Sequence, residues 1–169
     1  MEHDRRRKSR LQDSPSRLDS RDWFLILYNS FNEIIMELVK SIFDNAPKTL
    51  EREGKSIRIN FDVDVTELAI GGTDNEELKR TALSAYVVRV EQPLERGKVI
   101  DAIVSAAYPS DKMQAIINNH FANLAKIADG KKLDADDEEH EAEYNAMQEW
   151  RTKAKSVASD VMESYLSNI

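Results

Sequence analysis

Between residues 56 and 65 the chain alternates strictly. Ile57, Ile59, Phe61, Val63 and Val65 are apolar, while Ser56, Arg58, Asn60, Asp62 and Asp64 between them are polar. A period of two places successive side chains on opposite faces of a pleated strand. The pattern therefore predicts a half-buried strand of an antiparallel sheet, with the five apolar side chains on its covered face. Gly71-Gly72 is expected to end the strand. Residues 84–91, with Tyr86, Val87, Val88 and Val90, carry the β-formers of a second strand. Thr73 and Glu76 have the spacing of a capping box, which predicts a short helix between the two strands. Two strands alone make a marginal sheet, so helices must cover one face.

The C-terminal half supplies them. Leu94, Ile100, Ile103, Val104 and Ala107 form one helical stripe, behind Pro93 in the first turn. Tyr108-Pro109 is a turn, and Ser110 is the expected N-cap of a helix over 111–128. The apolar face of that helix is read as Met113, Ile116, Ile117, Phe121, Leu124 and Ile127, with Gly130 as the residue just beyond its end. After a charged loop, a last helix is expected over 138–166. Its seam is Tyr144, Met147, Trp150, Ala154, Val157, Val161 and Tyr165. The fold class is α+β: a small antiparallel β-hairpin (56–91) packed against a C-terminal helical hairpin, in one domain over 56–168 with helices over 94–107, 111–128 and 138–166.

Upstream the composition changes. Residues 1–22 hold seven basic and five acidic residues and only Leu11 and Leu18 to bury. Such a segment gains too little from burial to offset its ordering entropy and is read as a disordered basic arm. Residues 23–47 are read as an amphipathic helix, with Trp23, Leu27, Phe31, Ile34, Ile35, Leu38 and Ile42 at helical spacing, Asp22 as its cap, and Asn45 and Pro47 as its stop. That helix packs on the core or pairs with a second copy. Met36 opens a change in composition, which marks it as an alternative biological start.

The 169 residues suffice for one domain with a real core, and the net charge of −7 disfavours a nucleic-acid partner outside the basic arm. No apolar run reaches membrane-spanning length, and no signal peptide is recognisable. The absence of Cys excludes a disulfide scaffold and a thiolate metal site. Asp134-x-Asp136-x-Glu138 resembles the opening of a calcium loop, but Glu139 stands where the turn needs Gly and Asn145 where the bidentate ligand belongs. The acids are better explained as helix N-terminal charges. Gly71-Gly72-Thr73 lacks the lysine and spacing of a phosphate loop. His120 is read as a core-edge histidine bonded locally, and His3 and His140 complete no catalytic pattern. Accordingly no catalytic residue, metal ligand or cofactor is assigned.

Two segments, Tyr108-Pro-Ser-Asp-Lys-Met-Gln-Ala-Ile-Ile-Asn-Asn119 and Glu143-Tyr-Asn-Ala-Met-Gln-Glu-Trp-Arg-Thr-Lys-Ala-Lys155, joined by an acidic spacer, carry a resemblance. The region 94–159 resembles the helical hairpin of small proteins of Bacteroides-type phages and prophages. More loosely, it is similar to the C-terminal part of tail-fibre and tail-fibre-assembly proteins. The resemblance implies a non-enzymatic structural or assembly-accessory protein, in the host cytoplasm or on the virion, whose partner is a tail component. The partner-binding residues are read as Trp150, Tyr144 and Arg151 on the last helix, with Trp23 and Phe31 on the N-terminal one. The alternatives are a nucleic-acid accessory protein using the basic arm and a small enzyme assembled around His120.

Overall fold

The computed structural model describes residues 36, 38–73 and 76–167. Their elements in chain order are β1 (Ser41–Phe43), β2 (Leu50–Glu53), β3 (Ser56–Thr73), β4 (Glu76–Glu91), α1 (Arg96–Ala107), α2 (Ser110–Ala128) and α3 (Ala135–Leu166). The four strands form one antiparallel sheet in the order β1-β4-β3-β2. The expected α+β class is what the chain adopts, although the sheet is larger than a hairpin. β2 and β3 are joined by a tight turn at Gly54-Lys55, where Gly54 takes φ 63, a left-handed conformation open to glycine without strain. β2 reads Leu-Glu-Arg-Glu, without strand periodicity, and is held by its neighbour: Arg58 on β3 pairs with both Glu51 and Glu53.

Helices α1 and α3 cover one face of the sheet. Ile57, Ile59, Phe61, Val88 and Val90 from the sheet meet Val99, Ile103, Val104 and Ala107 of α1 and Met147, Trp150, Ala154, Ala158 and Val161 of α3. Alanines at 146, 154 and 158 bring the backbone of α3 close to its neighbours, leaving Met147 and Trp150 as its large buried side chains. Trp150 is 7% exposed. Its indole N–H donates to the Ile103 carbonyl oxygen (3.1 Å), and its ring packs beside Phe61 and edge-on to Tyr86. Burial is thus combined with a satisfied polar atom, as a buried indole requires.

The strict alternation of β3 breaks at Asp62. Ile57, Ile59 and Phe61 face the core, but Asp62 and Val63 together oppose Ala85 across the ladder. Asp62 has φ 57, which aspartate tolerates better than a branched residue. One extra residue reverses the side-chain phase beyond it, here as far as a second irregularity between Ala69 and Gly71. Val63 and Val65 are therefore 45% and 71% exposed instead of buried, and Asp64 takes the position facing the helices.

Other expectations are corrected. β3 continues through Gly71-Gly72 to Thr73, and β4 begins at Glu76, so the capping-box spacing there marks strand ends and not a short helix. The helix expected over 23–47 falls mostly outside the described residues. Where it is described, Ser41–Phe43 is the edge strand β1, paired with residues 83–85 of β4, because an open sheet edge satisfies its backbone. The basic arm over 1–22 also lies outside the described residues. Pro109, not Ser110, occupies the N-cap of α2, and no side chain caps it. α3 starts at Ala135 behind a capping box in which Asp134 accepts from the Asp137 N–H and Asp137 accepts from the Asp134 N–H, so the acidic run serves the helix start. Gly130, at φ 72, terminates α2 as expected.

The bulge sets a contrast within one alternating run. Ile59→Ala is expected to cost about 2–5 kcal/mol. Val65→Thr is expected to change stability by less than about 0.5 kcal/mol. Urea denaturation of the two variants beside wild type checks this; equal losses would mean that Val65 is buried like Ile59.

Candidate functional site

The bulge turns two carboxylates toward α3, and a groove of about 930 Å³ opens where they meet it. Its walls come from residues 36 and 38–40 before β1, from Asp62, Asp64, Ser84 and Tyr86 on the sheet, and from Glu149, Trp150 and Lys153 on α3, with Tyr108 after α1. Lys153 Nζ donates to Asp62 Oδ2 (2.6 Å) and lies 5.4 Å from the Trp150 ring and 5.7 Å from the Tyr86 ring. Lys40 Nζ donates to the Asp62 carbonyl oxygen (2.8 Å) and to the Asp64 carboxylate, and lies 4.9 Å from the Tyr86 ring. Two ammonium groups thus lie near one aromatic ring and meet at Asp62, with Asp64 bonded to Lys40 alone, combining cation–π attraction with ion pairing.

These neighbours fix charge. Burial pulls Lys40 toward its neutral form, but the hydrogen bond to Asp64 and the charges of Asp62 and Asp64 outweigh it and hold Lys40 above its ordinary 10.5. Burial likewise pulls Asp62 upward, and the hydrogen bond and charge of Lys153, with Lys40 behind them, hold it below its ordinary 3.8. Tyr108 is pushed up to about 12, first by burial and then by the charge of Glu143. Its hydroxyl is buried with no hydrogen-bond partner among the described residues. Each of these three groups keeps one protonation state across neutral pH, whereas proton-transfer groups work best with pKa values near the operating pH. The groove offers a fixed pattern of charges beside an aromatic wall.

A second polar assembly joins α2 to α3. His120 Nδ1 hydrogen-bonds the Glu141 carboxylate (2.9 Å), and its ring stacks on Tyr144 with centroids 3.7 Å apart. Buried Asn123 donates to the Asp137 carbonyl (2.8 Å) and to Glu141 Oε1 (3.0 Å), and Lys126 donates to both Asp137 carboxylate oxygens. The hydrogen bond from Lys126 and then that from the Asp134 backbone hold Asp137 below its ordinary range. His120 is bonded across the interface to a residue 21 positions away, not locally as expected, and it stands apart from the groove. Among the described residues, no group of three His, Asp or Glu side chains is placed to hold a metal ion.

Of the partner-binding residues expected from the sequence, the three that are described, Tyr144, Trp150 and Arg151, do not form one surface. Trp150 belongs to the core and shows only an edge to the groove, Tyr144 faces α2 under His120, and Arg151 is half-buried. Trp23 and Phe31 lie outside the described residues. Lys40, Asp62, Asp64, Tyr86 and Lys153 are not site residues on the sequence reading. Asp62 and Asp64 read there as the solvated side of the alternating strand, and Tyr86 as a strand-former. Among the described residues, no helix is long and apolar enough to cross a membrane.

Acid should weaken the groove. Because Asp62 is depressed in the folded state, its contribution is present above 3.8 and lost as pH falls through the lower folded value. The stability difference between wild type and Asp62→Asn should therefore be constant near neutrality and shrink in strongly acidic buffer. Lys40, raised in the folded state, contributes fully below 10.5 and loses its contribution only at more alkaline pH. Denaturant titrations of both proteins across pH check the acid limb; a difference that grows on acidification would contradict it.

No family model, curated protein sequence or solved structure matches the chain.

Proposed function

We propose that the chain is a non-enzymatic interaction protein, and that the groove around Lys40, Asp62, Tyr86 and Lys153 is where it receives a protein partner. The observation that carries this reading is the groove's fixed charge beside an aromatic wall. Lys40 and Asp62 are each stabilised in the ionised form by the other's neighbourhood. Such an arrangement suits a complementary segment, with Tyr86 and the edge of Trp150 supplying the apolar part and the ion pairs the polar rim. The ion pairs reach solvent, so a partner's carboxylate or ammonium group can exchange with them at little desolvation cost.

The resemblance of residues 94–159 to phage and prophage hairpins and tail-fibre-assembly proteins directs the partner search to a virion tail appendage or its assembly. On this reading α1–α3 are the scaffold, and the sheet-side groove is the contact.

Affinity purification of the full chain from phage-producing cells tests both parts. Wild type should recover a tail-appendage protein. Lys40→Glu combined with Lys153→Glu should reduce that recovery by about tenfold or more, the loss of about 1.4 kcal/mol of binding. Recovery of the same tail protein by both chains would contradict the groove assignment, and recovery of no virion protein by wild type would contradict the phage assignment.

A further inference from the structure

Helix α2 was expected to bury Phe121, Leu124 and Ile127. It exposes them, at 62%, 44% and 52% respectively. The cause is the polar seam described above: Asn123 and Lys126 face α3 because Asp137 and Glu141 await them there. The rest of the outward face is unusual for this chain. Residues 113–125 contain no Asp, Glu, Lys or Arg, although 33% of all residues are of these types. At helical spacing, Gln114, Asn118, Phe121 and Ala125 run down the centre of the exposed side, with Phe121 in the middle. An uncharged helix face centred on an exposed aromatic is suited to packing against another helix.

We propose that this face pairs with the same face of a second copy, α2 against α2 in antiparallel sense, with Phe121 on the two-fold axis. Charge and symmetry select that occupant. Crossing at Phe121 sets Gln114 opposite Ala128 of the partner subunit and Asn118 opposite Leu124 of the partner subunit, and it brings the Asp111 end of each helix to the Lys131 end of the other. Asp111 and Lys131 are both exposed, and the ion pair that Lys131 makes with Asp129 (3.2 Å) is itself exposed, so exchanging it costs little. A parallel pair would place Asp111 on Asp111 and add like helix ends, whereas the antiparallel pair opposes the two macrodipoles. The interface is isologous and closes on itself, so it makes dimers and not filaments. A 19-residue helix spans about 28 Å, which gives a contact at the small end of specific interfaces, hence a dimer dependent on concentration. The surface lies apart from the groove of the proposed function and does not rest on it.

Sedimentation equilibrium of the full chain over about 5–500 µM, the range of a weak dimer, tests the proposal. Wild type should pass from monomer to dimer, and Phe121→Glu should stay monomeric with unchanged circular dichroism, since its side chain is exposed. Asp111→Lys should raise the dimer Kd by about fivefold through its two symmetric contacts, and adding Lys131→Glu should restore it. The chain has no cysteine, so Phe121→Cys gives an independent reading: mild oxidation should link it into a dimer, while Ser105→Cys, exposed on α1, should stay monomeric. A wild type that is monomeric throughout, a dimer untouched by Phe121→Glu, or equal cross-linking at positions 121 and 105 would overturn it.

Discussion

One residue too many in β3 organises the molecule's polar chemistry. Asp62 and Val63 share a single partner, Ala85, and the ladder resumes with Asp64 opposite Ser84. Up to Phe61 the strand feeds Ile57, Ile59 and Phe61 into the core; beyond the bulge it feeds carboxylates to the same side of the sheet. A flat continuation would have placed Val63 and Val65 under the helices and turned Asp64 to solvent. The bulge exchanges that apolar burial for ion pairs with Lys40 and Lys153. Apolar burial of two valines is worth several kcal/mol, and exposed ion pairs return less. The proposed recognition role of the groove would account for that loss of stability.

A similar exchange operates on the other side of α3. The helix uses two faces. Its small-residue face, with Met147 and Trp150, seals the sheet and α1, and the Trp150 N–H to Ile103 bond fixes the depth of that contact. Its N-terminal turns offer Asp137 and Glu141 to α2, which answers with Asn123, Lys126 and His120. A polar seam needs defined partners and therefore sets the rotation of α2 about its axis more narrowly than an apolar contact does. That rotation leaves Phe121 facing outward. Groove and helix face thus share one outcome: at the bulge and at the seam, polar pairings occupy positions that periodicity would assign to apolar residues of the core.

What the sequence made legible follows from this. Regions where one physical preference acts alone were read well: the β3 core residues, β4 from Ser84, three helices within a few residues of their bounds, Gly130, and Trp150 as a core anchor. Where a long-range pairing competes with local preference, the reading failed. Ser41–Phe43 looks helical by spacing but pairs with β4. Leu50–Glu53 has no strand pattern and is held by Arg58 and the Gly54 turn. Ile117, Phe121 and Leu124 form an apolar stripe on paper, and nothing local reveals that Asn123 has two partners on another helix. The candidate site was almost wholly hidden, because Lys40, Asp62 and Lys153 are far apart in the chain and meet only through the bulge.

The groove depends on the reversal of side-chain phase at Asp62, and methyl-detected NMR with a soluble paramagnetic probe measures that reversal most directly. The methyl signals of Val63 and Val65 should be strongly attenuated by the probe, while those of Ile57 and Ile59 in the same strand stay sharp. Protection of all four valine and isoleucine side chains alike would mean that the alternation continues unbroken, and the groove as described would not exist.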